Sequence, residues 1–277
     1  MARSAADPLH FSSSSRVVYE IPTSGISVRG VTSLDDQLYL LLLRNDSQVA
    51  VYSANNYTLP RYLNVPGYKP TDSSDIAACI QHKSLHMTDS ANRCVQLYQL
   101  ANDVRRKWPV RGSPHGLAVT PTGNVLVACQ ETNRLVELSG ESGEQVREMA
   151  SQENLRALRH CVQLTGGQVV VCQGGANYNR VCLLADDGTV ARSYGGEKGS
   201  GEGQLNQARH LAVDEDSQLI FVADRDNDRV VVLSPTLQFV RYIGAGMARP
   251  HRLHFDRKKR CLYVVQYKGG VLVIQFV

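Results

Sequence analysis

Few of the features that announce an enzyme or a membrane protein occur in this chain of 277 residues. No segment reads G-x-S-x-G or H-E-x-x-H and none forms a P-loop, which removes the signatures of a nucleophile elbow, a helical zinc site and a phosphate-cradling loop. No run approaches the ~18 apolar residues of a membrane span, and the opening MARSAADPLHFSSSS lacks the apolar stretch of a secretory signal. The seven cysteines, Cys79, Cys94, Cys129, Cys161, Cys172, Cys182 and Cys261, are odd in number and include no C-x-x-C pair. Most stand in apolar runs, where a thiol behaves as a small buried hydrophobe, so they read as reduced. An excess of one charge is also missing: 30 basic residues face 26 acidic ones, and the net charge of +4 matters only if it gathers on one side of the molecule. A cytoplasmic, soluble protein or a domain of one is the expectation.

What is present is a repeat. A short apolar strand, a turn, a second strand, a polar loop ending in Asn-Arg or similar, a third strand, a turn and a fourth strand recur along the chain. Three copies are plain: PHGLAVTPTGNVLVACQETNRLVELSGESGEQVREM, RHCVQLTGGQVVVCQGGANYNRVCLLADDGTVARSYGG and RHLAVDEDSQLIFVADRDNDRVVVLSPTLQFVRYIG. A further copy, PHRLHFDRKKRCLYVVQYKGGVLVIQFV, stops after its third strand, and of two copies upstream VRGVTSLDDQLYLLLLRNDSQVAVYSANNYTLPRYLNV fits well and IAACIQHKSLHMTDSANRCVQLYQLANDVRRKW less well. The strands are rich in Val, Leu and Ile, the turns carry Asn, Asp, Gly, Ser and Pro, and no segment has a 3.6-residue apolar period. Units of roughly 40 to 45 residues with four strands each are propeller blades. The expected fold is therefore all-β, a six-bladed β-propeller of four-stranded antiparallel blades starting near residues 27, 72, 113, 157, 207 and 249. RVVYEIP (residues 16–22) supplies the strand that the last blade lacks, closing the ring and removing a free sheet edge. Residues 1–15 are then a flexible N-terminal segment and 16–277 a single propeller domain.

The stretch GGEKGSGEGQLNQARHLAVDEDSQLIFVADRDNDRVVVL (195–233) resembles the NHL repeat, with its glycine-rich lead, its L-A-V-D strand, its V-A-D strand end and its N-x-R-V. TDSANRCVQLY and PHGLAVTPTGNVLVACQETNRLVEL are similar, although Gln130 stands where the repeat usually has Asp. The whole resembles the C-terminal propeller of the tripartite-motif NHL proteins. That resemblance implies a non-enzymatic role in post-transcriptional regulation, without a cofactor, binding single-stranded or hairpin RNA, a protein partner, or both. Neither a RING, a B-box nor a coiled coil occurs in this sequence, so a ligase activity is not legible from it.

Blade geometry sorts the loops without coordinates. The fourth-to-first and second-to-third connections fall at one end of the ring, here called the first face. That face collects Arg44, Arg93, Arg105, Arg106, Lys107, Arg111, Arg134, Arg180, Arg225, Arg249 and Lys268, offset by Asp46, Glu131, Glu197, Glu202, Asp224, Asp226 and Asp228. Arg252 joins the same recognition surface, and Trp108, Tyr178 and Tyr267 are its candidates for stacking on bases or filling a partner's pocket. The bland alternative is that loops are polar anyway and long side chains merely solvate. The second face, with the two hairpin turns of each blade, is the more acidic.

Four of the eight histidines sit at strand beginnings, in SPHGLAV, LRHCVQL, ARHLAVD and RPHRLHF. A zinc site needs three or four ligands converging at about 2 Å, so register decides whether His115, His160, His210 and His251 are one. Aligned on the apolar triplet of each first strand, one ring reads Arg29, Ser74, His115, Arg159, Arg209, His251 and its neighbour Gly30, Asp75, Gly116, His160, His210, Arg252. Adjacent residues of a strand point to opposite sides, so the quartet splits into two pairs. Two histidines among three arginines repel a dication and suit a phosphate or carboxylate, making Arg29, His115, Arg159, Arg209 and His251 a candidate anion site at the channel mouth. A bulge shifting His160 and His210 by one residue would restore the metal option. In that case the chain resembles the amidating lyases, six-bladed propellers whose zinc histidines come from such strand starts. Histidines that merely satisfy hydrogen bonds at strand starts are the third alternative. DRDND (224–228) lacks the glycine and distal Glu of a calcium loop, and Asp224 reads as structural. The expectations are a monomeric binding module with RNA as partner and a protein partner as alternative, without cofactor or membrane. A metal-dependent lyase or hydrolase and a pure protein scaffold are the rivals.

Overall fold

The computed structural model describes residues 15–23, 25–44, 48–59, 61–149, 155–244, 247–267 and 269–276. Except for Ser15, the N-terminal segment expected to be flexible lies outside the described residues. Six antiparallel sheets of four strands follow one another around a ring. Blade 1 holds β2 (Val28–Leu34), β3 (Gln37–Leu42), β4 (Gln48–Ser53) and β5 (Arg61–Asn64). Blade 2 holds β6 (Ile76–Cys79), β7 (Ser84–Asp89), β8 (Cys94–Gln99) and β9 (Arg105–Pro109). Blade 3 is β10 (Pro114–Val119), β11 (Val125–Cys129), β12 (Arg134–Leu138) and β13 (Gln145–Met149). Blade 4 is β14 (Leu158–Gln163), β15 (Val169–Gly174), β16 (Asn179–Leu184) and β17 (Val190–Gly196). Blade 5 is β18 (Ala208–Val213), β19 (Ile220–Asp224), β20 (Arg229–Leu233) and β21 (Phe239–Ile243), with a single 3-10 turn at Arg225–Asn227. Blade 6 combines β22 (Pro250–Asp256), β23 (Cys261–Gln266) and β24 (Val271–Phe276) with β1 (Ser15–Ile21) as its outer strand. The N-terminal strand thus completes the last blade, as the sequence implies.

The apolar core is not one mass but six slices, each lying between neighbouring blades. Strand β19 shows how one sequence serves two slices: Ile220 and Val222 pack toward blade 4 while Phe221 and Ala223 pack toward blade 6. Side chains alternate along a strand, so a run such as IFVAD, apolar on both sides, is what a blade buried on both faces requires. All seven cysteines are free and buried, and five of them, Cys129, Cys161, Cys172, Cys182 and Cys261, pack in these slices. Burial pushes the thiols of Cys129 and Cys172 up to about 12, which keeps them protonated and unreactive at neutral pH.

Because the core sits between blades, the axis is left for polar residues. The first strands enter it with an irregularity. Their pairing with the second strands shifts register between Val28 and Gly30, Pro114 and Gly116, Leu158 and His160, Ala208 and Leu211, and Pro250 and Arg252. A bulge sets two residues opposite one and suspends the alternation of side chains. The expectation that the two rings point to opposite sides therefore fails, and both reach the axis as successive layers.

Candidate functional site

The inner layer is built around Asp75, which immediately precedes β6. Its carboxylate accepts hydrogen bonds from the backbone N–H of Ile76 (3.0 Å) and of Leu117 (3.2 Å), and from His210 Nε2 (3.1 Å). His160 Nε2 lies at 3.5 Å and Arg252 Nε at 3.4 Å. Arg252, 1% exposed, donates to the carbonyl oxygens of Arg29, His251 and Ser74 at 2.9 to 3.0 Å. One buried ion pair therefore ties residues from all six blades together. Gly30 and Gly116 occupy this layer because a side chain would not fit: a Cβ on Gly116 would stand 2.4 Å from the Arg159 carbonyl oxygen, and one on Gly30 2.6 Å from Ile76.

His160 and His210 stack with ring centroids 3.6 Å apart. Both rings are neutral, since burial holds them well below the ordinary imidazole range. Their partners fix the tautomer. The Nδ1 of His160 accepts from Leu211 N–H and the Nδ1 of His210 from Leu253 N–H, at 3.4 and 3.3 Å. Each Nε2 must then carry the proton, given by His160 to the Leu117 carbonyl at 3.0 Å and by His210 to Asp75.

Asp75, His160 and His210 form the group of potential metal ligands among the described residues, with donor atoms within 4.8 Å of one another. The donor chemistry does not fit a cation. Ligation through Nε2 would need the opposite tautomer, turning Nδ1–H against the backbone N–H groups of Leu211 and Leu253, and the Arg252 guanidinium sits against the same carboxylate. His115 and His251 lie in the other layer, so the expected bulges bring no third or fourth histidine to the group.

The outer layer faces the first-face mouth. His115 donates from Nδ1 to the Arg159 carbonyl (2.9 Å) and accepts at Nε2 from Arg159 Nη1 (3.1 Å). Arg159 also donates to Gly174 O and to Gln130 Oε1. His251 donates to Val28 O at 3.1 Å. Arg29 is 4% exposed and pairs with the exposed Asp72 at 2.6 Å. The half-buried Arg209 has no such partner among the described residues. Its Nε, like those of Arg29 and Arg225, is buried without a hydrogen bond. Burial and the guanidiniums of Arg159, Arg252 and Arg225 push Arg209 down to about 9. It remains charged at neutral pH, but in surroundings hostile to a further cation.

Other residues singled out in the sequence are placed less uniformly. Trp108 is buried between blades 2 and 3 against His86, with ring centroids 5.2 Å apart, and offers no stacking surface. Arg105, Arg106 and Lys107 belong to β9, the outer strand of blade 2, and so lie on the rim and not in a first-face loop. Arg252 is on the axis, out of reach of a partner. Tyr267 is surrounded by the guanidiniums of Arg225, Arg249 and Arg29 at 4.8, 5.1 and 5.4 Å from its ring centre. Arg93 pairs with Glu131, Arg134 with Glu148 and Arg249 with Asp226. Arg180 donates to Gln173, Arg44 and Arg111 are exposed in first-face connections, and Tyr178 is half-buried. Lys268 lies outside the described residues. Asp224 is structural, accepting from Asn206 N–H, Asn227 and Arg229 at 2.6 to 2.7 Å.

The residue that sequence reasoning undervalued is Asp75. Its only signal is its place in the register of His160, His210 and Arg252. On the second face the axis opens into a cavity of about 860 Å³ whose lining includes His160 and His210. Its rim is charge-paired: Lys83 with Asp35, Lys258 with Asp36, Arg257 with Asp216 and Arg260 with Asp214.

The NHL repeat family model matches residues 112–138, the first three strands of blade 3. No curated protein matches the sequence. Among solved structures, a streptogramin B lyase is similar at 9% identity and a TM-score of 0.66, over 96% of this chain and 99% of that one. A virginiamycin B lyase from Staphylococcus aureus is similar at 8% identity and 0.65, over 96% and 100% of the two chains. Hydrazine synthase of Kuenenia stuttgartiensis is similar at 14% and 0.63, over 98% and 99%. Likeness at such identities shows the fold alone. The chain is a six-bladed β-propeller that carries an NHL repeat in its third blade.

Proposed function

We propose that the protein is a non-enzymatic binding module that recognises its partner through an anionic group received at the first-face channel mouth. The observation that carries this reading is the cluster of Arg159, Arg209 and Arg225 above Arg252, joined by Arg29 across the Tyr267 ring, in which the charges acting on Arg209 are chiefly other guanidiniums. An anion is what such a cluster lacks, and several arginines can hold one with charge-assisted hydrogen bonds. The inner layer supports the non-enzymatic part: its histidines are consumed by backbone partners and by Asp75, leaving no free base or open ligand position.

RNA, the partner that the tripartite-motif resemblance implies, is tested by titrating a random single-stranded pool at about 50 and 200 mM salt. Salt-sensitive binding that Arg209→Gln abolishes and Lys258→Gln, on the second face, leaves intact makes RNA the partner. Binding of an acidic peptide pool with the same dependence on Arg209 makes it a protein. Indifference of both pools to Arg209 overturns the reading, and so does stoichiometric zinc, iron or manganese in protein purified without a histidine tag. A cytoplasmic location belongs to the same reading.

A further inference from the structure

The geometry points to a ligand for this mouth: one phosphomonoester dianion, presented by a phosphorylated side chain of a protein partner. The inference rests on the first-face reading and narrows it.

Charge sets the number. Arg29 is matched by Asp72, Arg252 by Asp75, and Arg225 and Arg249 share Asp226. Arg159 and Arg209 have no carboxylate partner among the described residues; Arg159 spends its hydrogen bonds on neutral acceptors. With one carboxylate shared between Arg225 and Arg249 and none on Arg159 or Arg209, at least two uncompensated positive charges remain in one half-buried cluster. A phosphorylated Ser or Thr carries −1.5 to −2 charges at about pH 7, against −1 for a carboxylate, and offers three acceptor oxygens. Buried guanidinium nitrogens left without acceptors supply the matching donors: Nε of Arg29, Arg209 and Arg225. A buried donor without a partner costs about 1–3 kcal/mol, so a group that satisfies several at once is strongly selected.

The surroundings select a point charge over a chain of phosphates. Outward from the cluster, Arg93, Arg134 and Arg249 are already paired with Glu131, Glu148 and Asp226, carboxylates that would repel successive phosphodiesters. Base stacking has lost its main platforms, with Trp108 buried and Tyr267 ringed by guanidiniums. What remains is one cationic socket flanked by arginines that are already paired, the pattern by which Arg clusters read single phosphorylated residues.

Calorimetric titration of the whole chain tests this with five probes: phenyl phosphate, phenylacetate, a short phosphoserine peptide, and an RNA oligonucleotide with and without a 5′-phosphate. Phenyl phosphate and the phosphoserine peptide should bind saturably and about tenfold or more tighter than phenylacetate, roughly the difference of one charge-assisted contact. Arg159→Gln and Arg209→Gln should each weaken them about tenfold, whereas Arg134→Gln, which removes an arginine already paired with Glu148, should not. Thermal denaturation guards against misfolding, because Arg209→Gln relieves repulsion and should raise the melting temperature of the unliganded protein. Phenylacetate binding as tightly as phenyl phosphate overturns the dianion while the first-face reading stands. Tighter binding of RNA without a terminal phosphate, or of RNA only when 5′-phosphorylated, overturns the protein partner. Silence from every probe overturns both.

Discussion

Asp75 concentrates more of the architecture than any other side chain on the axis. Its carboxylate meets a backbone N–H of blade 3, histidines of blades 4 and 5, and the guanidinium of blade 6. Replacing one partner of a buried ion pair leaves the other charge stranded, at a cost of roughly 3–5 kcal/mol. Asp75→Asn preserves size but strands Arg252, so its urea midpoint should fall by the equivalent of that amount; a loss below about 1 kcal/mol would contradict the keystone role. At this scale the sequence was partly legible. Register brought His160, His210, Asp75 and Arg252 into one ring, because strand-start motifs repeat without gaps. Their chemistry was not legible: nothing in PHGLAV or RHCVQL says that a backbone N–H of the next blade claims each imidazole Nδ1.

Among the elements, the bulged first strands decide what the axis can hold. Strict alternation would have sent one ring of residues into the blade interfaces, where Arg159 and Arg209 have no solvation. The register shift lets both rings share the channel, and the absence of a side chain at Gly116 lets blade 4 approach. Gly116→Ala sets a methyl group 2.4 Å from a backbone oxygen that cannot move independently, and overpacking of this kind costs about 1–3 kcal/mol. Its melting temperature should drop by several degrees, while Gly166→Ala, with open space around it, should change little. A neutral result at both positions would contradict the close approach. Bulges escaped sequence reasoning because the same residues read as regular strand when only apolar spacing is followed. The burial of Trp108 escaped for a similar reason: RRKWP looks like a polar loop, yet four exposed positions and one buried one are what an outer strand displays.

Across the whole molecule, the histidines act together against acid. Burial depresses His86 to about 3 and His254 to about 4, and holds His115, His160, His210 and His251 well below their ordinary range. A group whose folded value lies below its unfolded one contributes stability that is complete above the unfolded value, near pH 6.5, and is lost as pH falls toward the folded one. Each of these histidines removes up to about 1.4 kcal/mol per pH unit in that window. Asp75 and Asp224, which burial shifts upward, act in the opposite sense, in a window that opens at the unfolded carboxylate value and runs upward from it. The denaturation midpoint should therefore fall steeply from pH 6.5 to 5, and a flat profile there would show that the rings are solvated. The fold itself was the most legible level, since a four-strand period and a missing last strand leave little choice beyond a closed ring.

That closure also fixes an orientation. Ser15 pairs with Phe276 across β1 and β24, so the first and last described residues stand side by side at the second face. Both described ends of blade 6 therefore lie on the side opposite the first-face arginines, and neither of these two residues crowds the channel mouth.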